Sequence, residues 1–291
     1  MQLVLHTGAH ITDEDRLLKC LTANQDMLAT RGTRVPYPKE YRRLMRDVLH
    51  AAAQTGVASD TRDVLMDALG FDELPDRLIL SNPGFFGTPK MAASGGEFYT
   101  AAAHRMQIFR DIFANDEIEM FFAICNPATF LPAIMAQTKF DSLPAYLGGT
   151  DPREMRWSGM IEQMRGAIPD IPITIWCNED TPLIWGQILR DMAGIEPGTP
   201  LIGEHALLRE IMTPTGMTRF ESYVTQYPGM TEMQKRRVIS AFLDKFANED
   251  AIEEELDLPV WTDEIVDELS DLYDEDVYSI GRIPGITLLT P

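Results

Sequence analysis

Three observations predict an α/β fold built on one parallel sheet with helices on both faces. Short apolar runs of strand length alternate with helix-periodic segments through most of the chain. The first such run, Leu3-Val4-Leu5, passes through a Gly-containing loop directly into an apolar-periodic helix. With 291 residues, 45% of them hydrophobic, the chain is long enough to bury a substantial core. We expect one domain over residues 1–291, with the sheet in about residues 1–200 and a helical extension over about residues 201–291.

The first strand covers residues 2–6, and Thr12-x-x-Asp15 has the shape of a capping box, which predicts a helix from near Thr12. Leu17, Leu18, Leu21, Asn24 and Leu28 recur at helical spacing, and Gly32 is placed to terminate that helix. Residues 33–35 read as a short strand stopped by Pro36-Tyr37-Pro38. Helices are expected at 41–54, with an arginine face from Arg42, Arg43 and Arg46, and at 61–69. Residues 77–81 form a buried strand by length and composition, broken by Asn82-Pro83-Gly84. A Gly-rich loop at 88–96 leads to a helix at 99–113.

Residues 118–124 are the strongest strand pattern, ending in Cys125-Asn126-Pro127 before a helix from about Thr129. A helix at 157–168, a strand at 171–176 and a helix at 181–192 complete the alternation. From Glu204 onward only helices are predicted, at 204–212, 218–226, 231–247 and 262–273. The acidic run 248–257 lacks glycine at the sixth position of any calcium loop, so it reads as a solvated face or linker.

Forty-five acidic against 25 basic residues give a net charge of -20. That balance excludes nucleic acid as a partner class, because phosphate backbones demand clustered Lys and Arg. It also disfavours an anionic ligand unless a local basic patch overcomes the field. Cys20, Cys125 and Cys177 have no paired spacing, which gives neither a disulfide framework nor a zinc site. Reduced thiols, the lack of a signal-peptide pattern and the lack of a bilayer-length apolar run together predict a cytoplasmic protein without a transmembrane segment.

Strand, loop and helix N-terminus in that order are how α/β proteins build a phosphate site, since free N–H groups and the helix dipole converge there. The loop here, His6-Thr7-Gly8-Ala9-His10-Ile11-Thr12-Asp13-Glu14-Asp15, carries the wrong charge for a phosphate.

Four blocks recur in a characteristic order. The first is Leu5-His6-Thr7-Gly8-Ala9-His10, followed by Asn24, Leu28 and Gly32-x-x-Val35-Pro36-Tyr37-Pro38. Then come Arg77-Leu78-Ile79-Leu80-Ser81-Asn82 and Phe122-Ala123-Ile124-Cys125-Asn126-Pro127-Ala128-Thr129-Phe130-Leu131-Pro132, running on to Gln137. The last is Leu272-Tyr273-x-x-Asp276 with Ile283-Pro284-Gly285 beyond. Together they resemble the bacterial P-loop sulfotransferase-like family.

The resemblance implies a three-layer P-loop NTPase-like sheet. It also implies transfer of a sulfuryl group from 3′-phosphoadenosine 5′-phosphosulfate to a hydroxyl or amine, on a carbohydrate or other small-molecule acceptor. It places cofactor binding at Thr7, Gly8, Ala9, His10, Thr12 and Arg16, the positions of the phosphate loop. The family loop reads His-x-Gly-x-x-Lys-Thr-Gly-Thr-Thr; here the Lys position is Ile11, the second Gly is Asp13, and the final Thr pair is Glu14 and Asp15. The family's 3′-phosphate Arg and Ser are Cys125 and Ala133, and its candidate general base is Pro83.

Losing Lys and Arg removes charge-assisted contacts each worth about 1.5–3 kcal/mol, and three new carboxylates add repulsion. Those carboxylates suit a helix N-terminus, at about 0.3–1 kcal/mol each. The expectation is a sulfotransferase-like protein whose donor site is lost; the alternative is a non-catalytic binding or regulatory protein on the same scaffold.

Three further groups of residues could carry chemistry. Arg16 could swing back to replace the missing Lys, although an i,i+3 contact with Asp13 is the simpler reading. Cys125 with His6 or His10, oriented by Asp13, would make a nucleophile constellation; the plainer reading is a small buried thiol and two packing histidines. Arg42, Arg43 and Arg46 with Lys39 could gather an acidic glycan or a partner, but a solvated helix face is the default, as it is for Lys235-Arg236-Arg237. The 16 methionines read as core filler, and Trp157, Trp176, Trp185 and Trp261 as packing rather than sugar platforms.

Overall fold

Leu3 and Leu5 point to one face of a sheet and Val4 to the other, and the same alternation along neighbouring strands builds two separate cores. The computed structural model describes residues 1–71, 73–248, 251 and 261–291. Its strands are β1 (Gln2–His6), β2 (Thr33–Arg34), β3 (Arg77–Ser81), β4 (Glu117–Ile124), β5 (Ile173–Cys177) and β6 (Ile286–Leu289). They pair in parallel throughout, in the order β2-β3-β1-β4-β5-β6. The expected parallel sheet with helices on both faces is therefore what the chain forms.

Between the strands run α1 (Arg16–Ala23), α2 (Gln25–Ala29), α3 (Pro38–Thr55), α4 (Thr61–Leu69) and α5 (Ala102–Ile112). They are followed by α6 (Pro127–Ala136), α7 (Leu143–Tyr146), α8 (Trp157–Ala167) and α9 (Thr181–Ala193). The remainder is α10 (Ala206–Ile211), α11 (Pro214–Gln226), α12 (Glu232–Phe246) and α13 (Asp263–Ile280). Helices α3, α5, α8 and α13 cover the face that carries Leu3, Leu5, Met120 and Phe122. Helices α1, α2 and α9 cover the face of Val4, Ile79, Phe121 and Trp176. A third, smaller cluster of Leu208, Met212, Met217, Phe220 and Ile239 holds α10, α11 and α12 together.

The C-terminal part is not purely helical. After α13 the chain turns at Gly285 and adds β6 beside β5, so the sheet gains its sixth strand from the predicted helical extension. The segment escaped the sequence reading because four residues at a half-exposed edge carry too little alternation to register. Of the acidic run 248–257, the linker reading lies outside the described residues apart from residues 248 and 251. Among the described residues no helix is long and apolar enough to cross a membrane.

Helix α13 also supplies a cap. The buried Asp276 carboxylate accepts hydrogen bonds from Trp157 N (2.6 Å) and Ser158 N (3.2 Å), the first amides of α8. Asp276→Ala leaves two helix-end donors without an acceptor and is expected to cost about 2 kcal/mol, with Asp276→Asn costing less. Thermal unfolding of the two variants checks the ranking; equal melting points in both variants and the native chain would remove the capping role.

Candidate functional site

Strand β1 is the switch point of the sheet: it leads into a helix on one face, while its neighbours β3 and β4 lead to helices on the other. Open α/β sheets bind ligands outside the carboxyl ends of strands at such a point. A cavity of about 280 Å³ lies there, lined by His6, His10, Asp13, Arg42, Pro83 and Gln137 among others. Larger grooves of about 690 and 680 Å³ run along the amino ends of the strands, the wrong end for this architecture.

The floor of the cavity is the loop after β1. Thr7 N donates to Phe121 O (3.1 Å) and Ala9 N to Ala123 O (2.9 Å), while Gly8 O accepts from Ala123 N, so the strand ladder runs on past His6. Gly8 makes this possible at a φ of 112°, where an added Cβ would sit 3.2 Å from His10 N and 3.4 Å from Pro83 Cα. His10 N donates to the Tyr99 hydroxyl (2.9 Å). Thus the amides of Thr7, Ala9 and His10, which a phosphate loop would turn on its ligand, are engaged inside the protein.

Helix α1 begins at Arg16, not near Thr12, and the predicted Thr12–Asp15 capping box is absent. Thr12 Oγ1 instead donates to Ala9 O (2.9 Å). Asp13 does the capping: its Oδ1 accepts from Leu17 N at 2.7 Å, and its main-chain oxygen accepts from Arg16 N. Residues 11, 14 and 15 hold left-handed backbone (φ 61°, 49° and 62°), uncommon for Ile, Glu and Asp.

Arg16 does not meet the Asp13 carboxylate. Its guanidinium instead reaches the Asp13 main-chain oxygen (Nη1, 3.5 Å) and lies 3.2 Å from Glu14 and 3.0 Å from Glu210. Arg42 is the cation that reaches the loop, contrary to its reading as part of a solvated face. It donates to both oxygens of Asp15, with Nη1 at 3.1 Å, and through Nε and Nη2 to Ser81 O at 3.0 and 2.8 Å. The available signal was its place beside Tyr41 at the edge of the buried stripe Tyr41, Met45 and Leu49.

The two histidines are both held by their Nδ1 atoms. His10 Nδ1 is 2.7 Å from Tyr99 Oη. The same hydroxyl accepts from His10 N, so the main chain and the ring of His10 are both tied to Tyr99. Burial lowers the His10 pKa to about 4, so the ring is neutral at pH 7. His6 Nδ1 is 2.8 Å from Ser81 Oγ, its ring stacks on Trp176, and its buried Nε2 has no hydrogen-bond partner. Burial lowers the His6 pKa and raises that of Asp13.

Ser81 and Tyr99 hold the two histidine rings through Nδ1, and Cys125 Sγ lies 3.4 Å from Thr129 Oγ1. The Cys177 thiol, pushed up to about 12 by burial first, is not a nucleophile at neutral pH. Trp157 and Trp176 are buried in the two cores, as expected of packing residues. Among the described residues no group of three or more His, Cys, Asp or Glu could hold a metal ion.

No model of a known protein family matches this chain, and no curated protein matches it either.

Proposed function

We propose that this chain is a sulfotransferase-like protein of P-loop type whose donor site is lost, serving as a non-catalytic small-molecule-binding or regulatory protein on that scaffold. The reading draws on the four sequence blocks, on β1 at the centre of a parallel sheet, and on the run from β1 through a glycine loop into α1. One observation carries it: the protein's own carboxylates gather where β1 leads into α1, with Asp13 at the start of α1 and Asp15 closing on Arg42. A polyanionic donor would have to displace a bidentate ion pair and then face Asp13 and Glu14.

Calorimetric titration with 3′,5′-phosphoadenosine is expected to give no saturable heat up to about 1 mM. Micromolar binding would overturn the reading. Arg42 favours a second reading, an enzyme in which the donor's phosphate takes Arg42 from Asp15. That enzyme would bind the nucleotide at least about tenfold more tightly as Asp15→Asn, whereas the non-catalytic reading expects no binding in either form.

A further inference from the structure

We propose that the outer seam of the α11–α12 hairpin is a docking surface for an acidic peptide segment of a partner protein, one that interleaves carboxylates with apolar side chains. The surface belongs to a different part of the chain from the loop after β1 and keeps its role whether or not that loop takes a nucleotide.

Composition sets this hairpin apart. Between Pro214 and Phe246 five basic residues stand against three acidic ones, a net charge of +2. The rest of the chain has 20 basic and 42 acidic residues and carries -22. The hairpin also packs on a small core of its own, built from Leu208, Met212, Met217, Phe220 and Ile239.

Its outer face is not the polar surface expected of helices packed over so small a core. Tyr223 on α11 is 38% exposed and Tyr227 just past it 48%, with their ring centroids 4.7 Å apart. The row continues onto α12, where Phe242 lies 6.1 Å from Tyr223 and Phe246 lies 5.9 Å from Phe242. Single exposed apolar residues need no explanation, but a contiguous row of rings marks an interaction surface.

Cations flank the row. Arg219 Cζ is 5.4 Å and Lys245 Nζ 5.5 Å from the centre of the Phe246 ring. Arg237 reaches only the Met233 sulfur, at 3.9 Å. None of the three meets a carboxylate among the described residues. Lys235 and Arg236 of the same basic run turn inward instead, the first onto Glu204 and Glu232 and the second onto Gln187 and Thr290 O.

Charge and shape together select the partner. Carboxylates answer the three unpaired cations, and apolar side chains answer the rings. Tyr, Phe, Met and Arg are also the residues that protein interfaces favour. A membrane or a nucleic acid would match cations and rings as well, but each extends far beyond the patch. Charges act over about 8 Å at physiological salt, so a short peptide meets the hairpin while an extended polyanion meets the -22 of the rest.

The test follows the fluorescence anisotropy of a labelled peptide of three Glu-Leu-Phe-Asp repeats as the 291-residue chain is added at physiological salt. Saturable binding is expected, at least about tenfold tighter than for Gln-Leu-Phe-Asn repeats or Glu-Ser-Ser-Asp repeats. Arg237→Glu with Lys245→Glu should weaken it at least about tenfold, and so should Tyr223→Ser with Tyr227→Ser. All four side chains are exposed, so both variants are expected to keep the native melting temperature. Independently of any variant, hydrogen exchange of the native chain should slow within residues 214–246 as the peptide saturates. No saturable binding, equal binding by either variant, or protection confined to other residues overturns the inference. Tighter variant-sensitive binding to phosphatidylserine vesicles or to an oligothymidylate overturns it in favour of those partners. A native dimer that the charge-reversal variant loses overturns it too, since the occupant is then a second copy of this chain.

Discussion

Arg190→Met is expected to destabilise the fold by about 3–5 kcal/mol, the largest effect of any single polar substitution considered. Arg190 is 2% exposed on α9, in the layer beneath α12. Its guanidinium contacts Glu204 and lies 3.3 Å from Glu232, and its Nε donates to Thr199 O at 3.0 Å. Lys235 closes the quartet at 3.1 Å from Glu204 and 3.6 Å from Glu232. Two cations balance two anions, and removing Arg190 leaves a half-buried carboxylate uncompensated. Burial alone would raise the Glu204 pKa, but the Arg190 and Lys235 contacts hold it below its usual range. Urea unfolding at pH 7 measures the loss, and Arg190→Met with Glu204→Gln should recover part of it, since the orphaned charge is then gone. A double variant no more stable than the single would show that packing, not charge, sets the cost.

His10 provides the second large effect, expressed through pH. Unfolded, it takes up a proton near its ordinary value of 6.5; folded, it stays neutral until about pH 4 because burial penalises the charged ring. Between those values the unfolded chain binds more protons, so stability falls as pH drops through that window. Lowering the pKa from 6.5 to about 4 corresponds to at most about 3 kcal/mol. His10→Asn keeps an acceptor for the Tyr99 hydroxyl but cannot titrate, so its stability should lack this component. The stability difference between native and variant chains, followed from pH 7 to 4, isolates the effect from other groups. Parallel curves would show that His10 does not gain its proton on unfolding in that range.

Most of the fold was legible in the sequence. Apolar runs of five to eight residues gave β1, β3, β4 and β5 in their order, β3 and β4 ended by Asn-Pro, because burial on both faces demands continuous apolar runs. The loop after β1, joining strand to helix at the carboxyl end of the sheet, was legible for the same reason. Its connections were not. Thr12 was expected to cap α1 where Asp13 does, and Arg16 meets Asp13 through its main-chain oxygen while its ion pairs go to Glu14 and Glu210. Arg42 was assigned to solvent and instead bridges α3 to the loop. Glu210 lies 194 residues from Arg16, and Ser81 lies 39 from Arg42, distances over which no local pattern operates.

What the sequence determined by itself is the parallel α/β sheet, the loop at the end of its first strand, and the acidic character of that loop at Asp13, Glu14 and Asp15. These follow from periodicity and charge, which are properties of neighbouring residues. Only the tertiary structure decided that Asp15 pairs with Arg42, that His6 Nε2 is buried without a hydrogen-bond partner, and that residues 286–289 complete the sheet. Ion pairing and buried hydrogen bonding are settled by side chains brought together from distant elements, and packing alone fixes which of them meet.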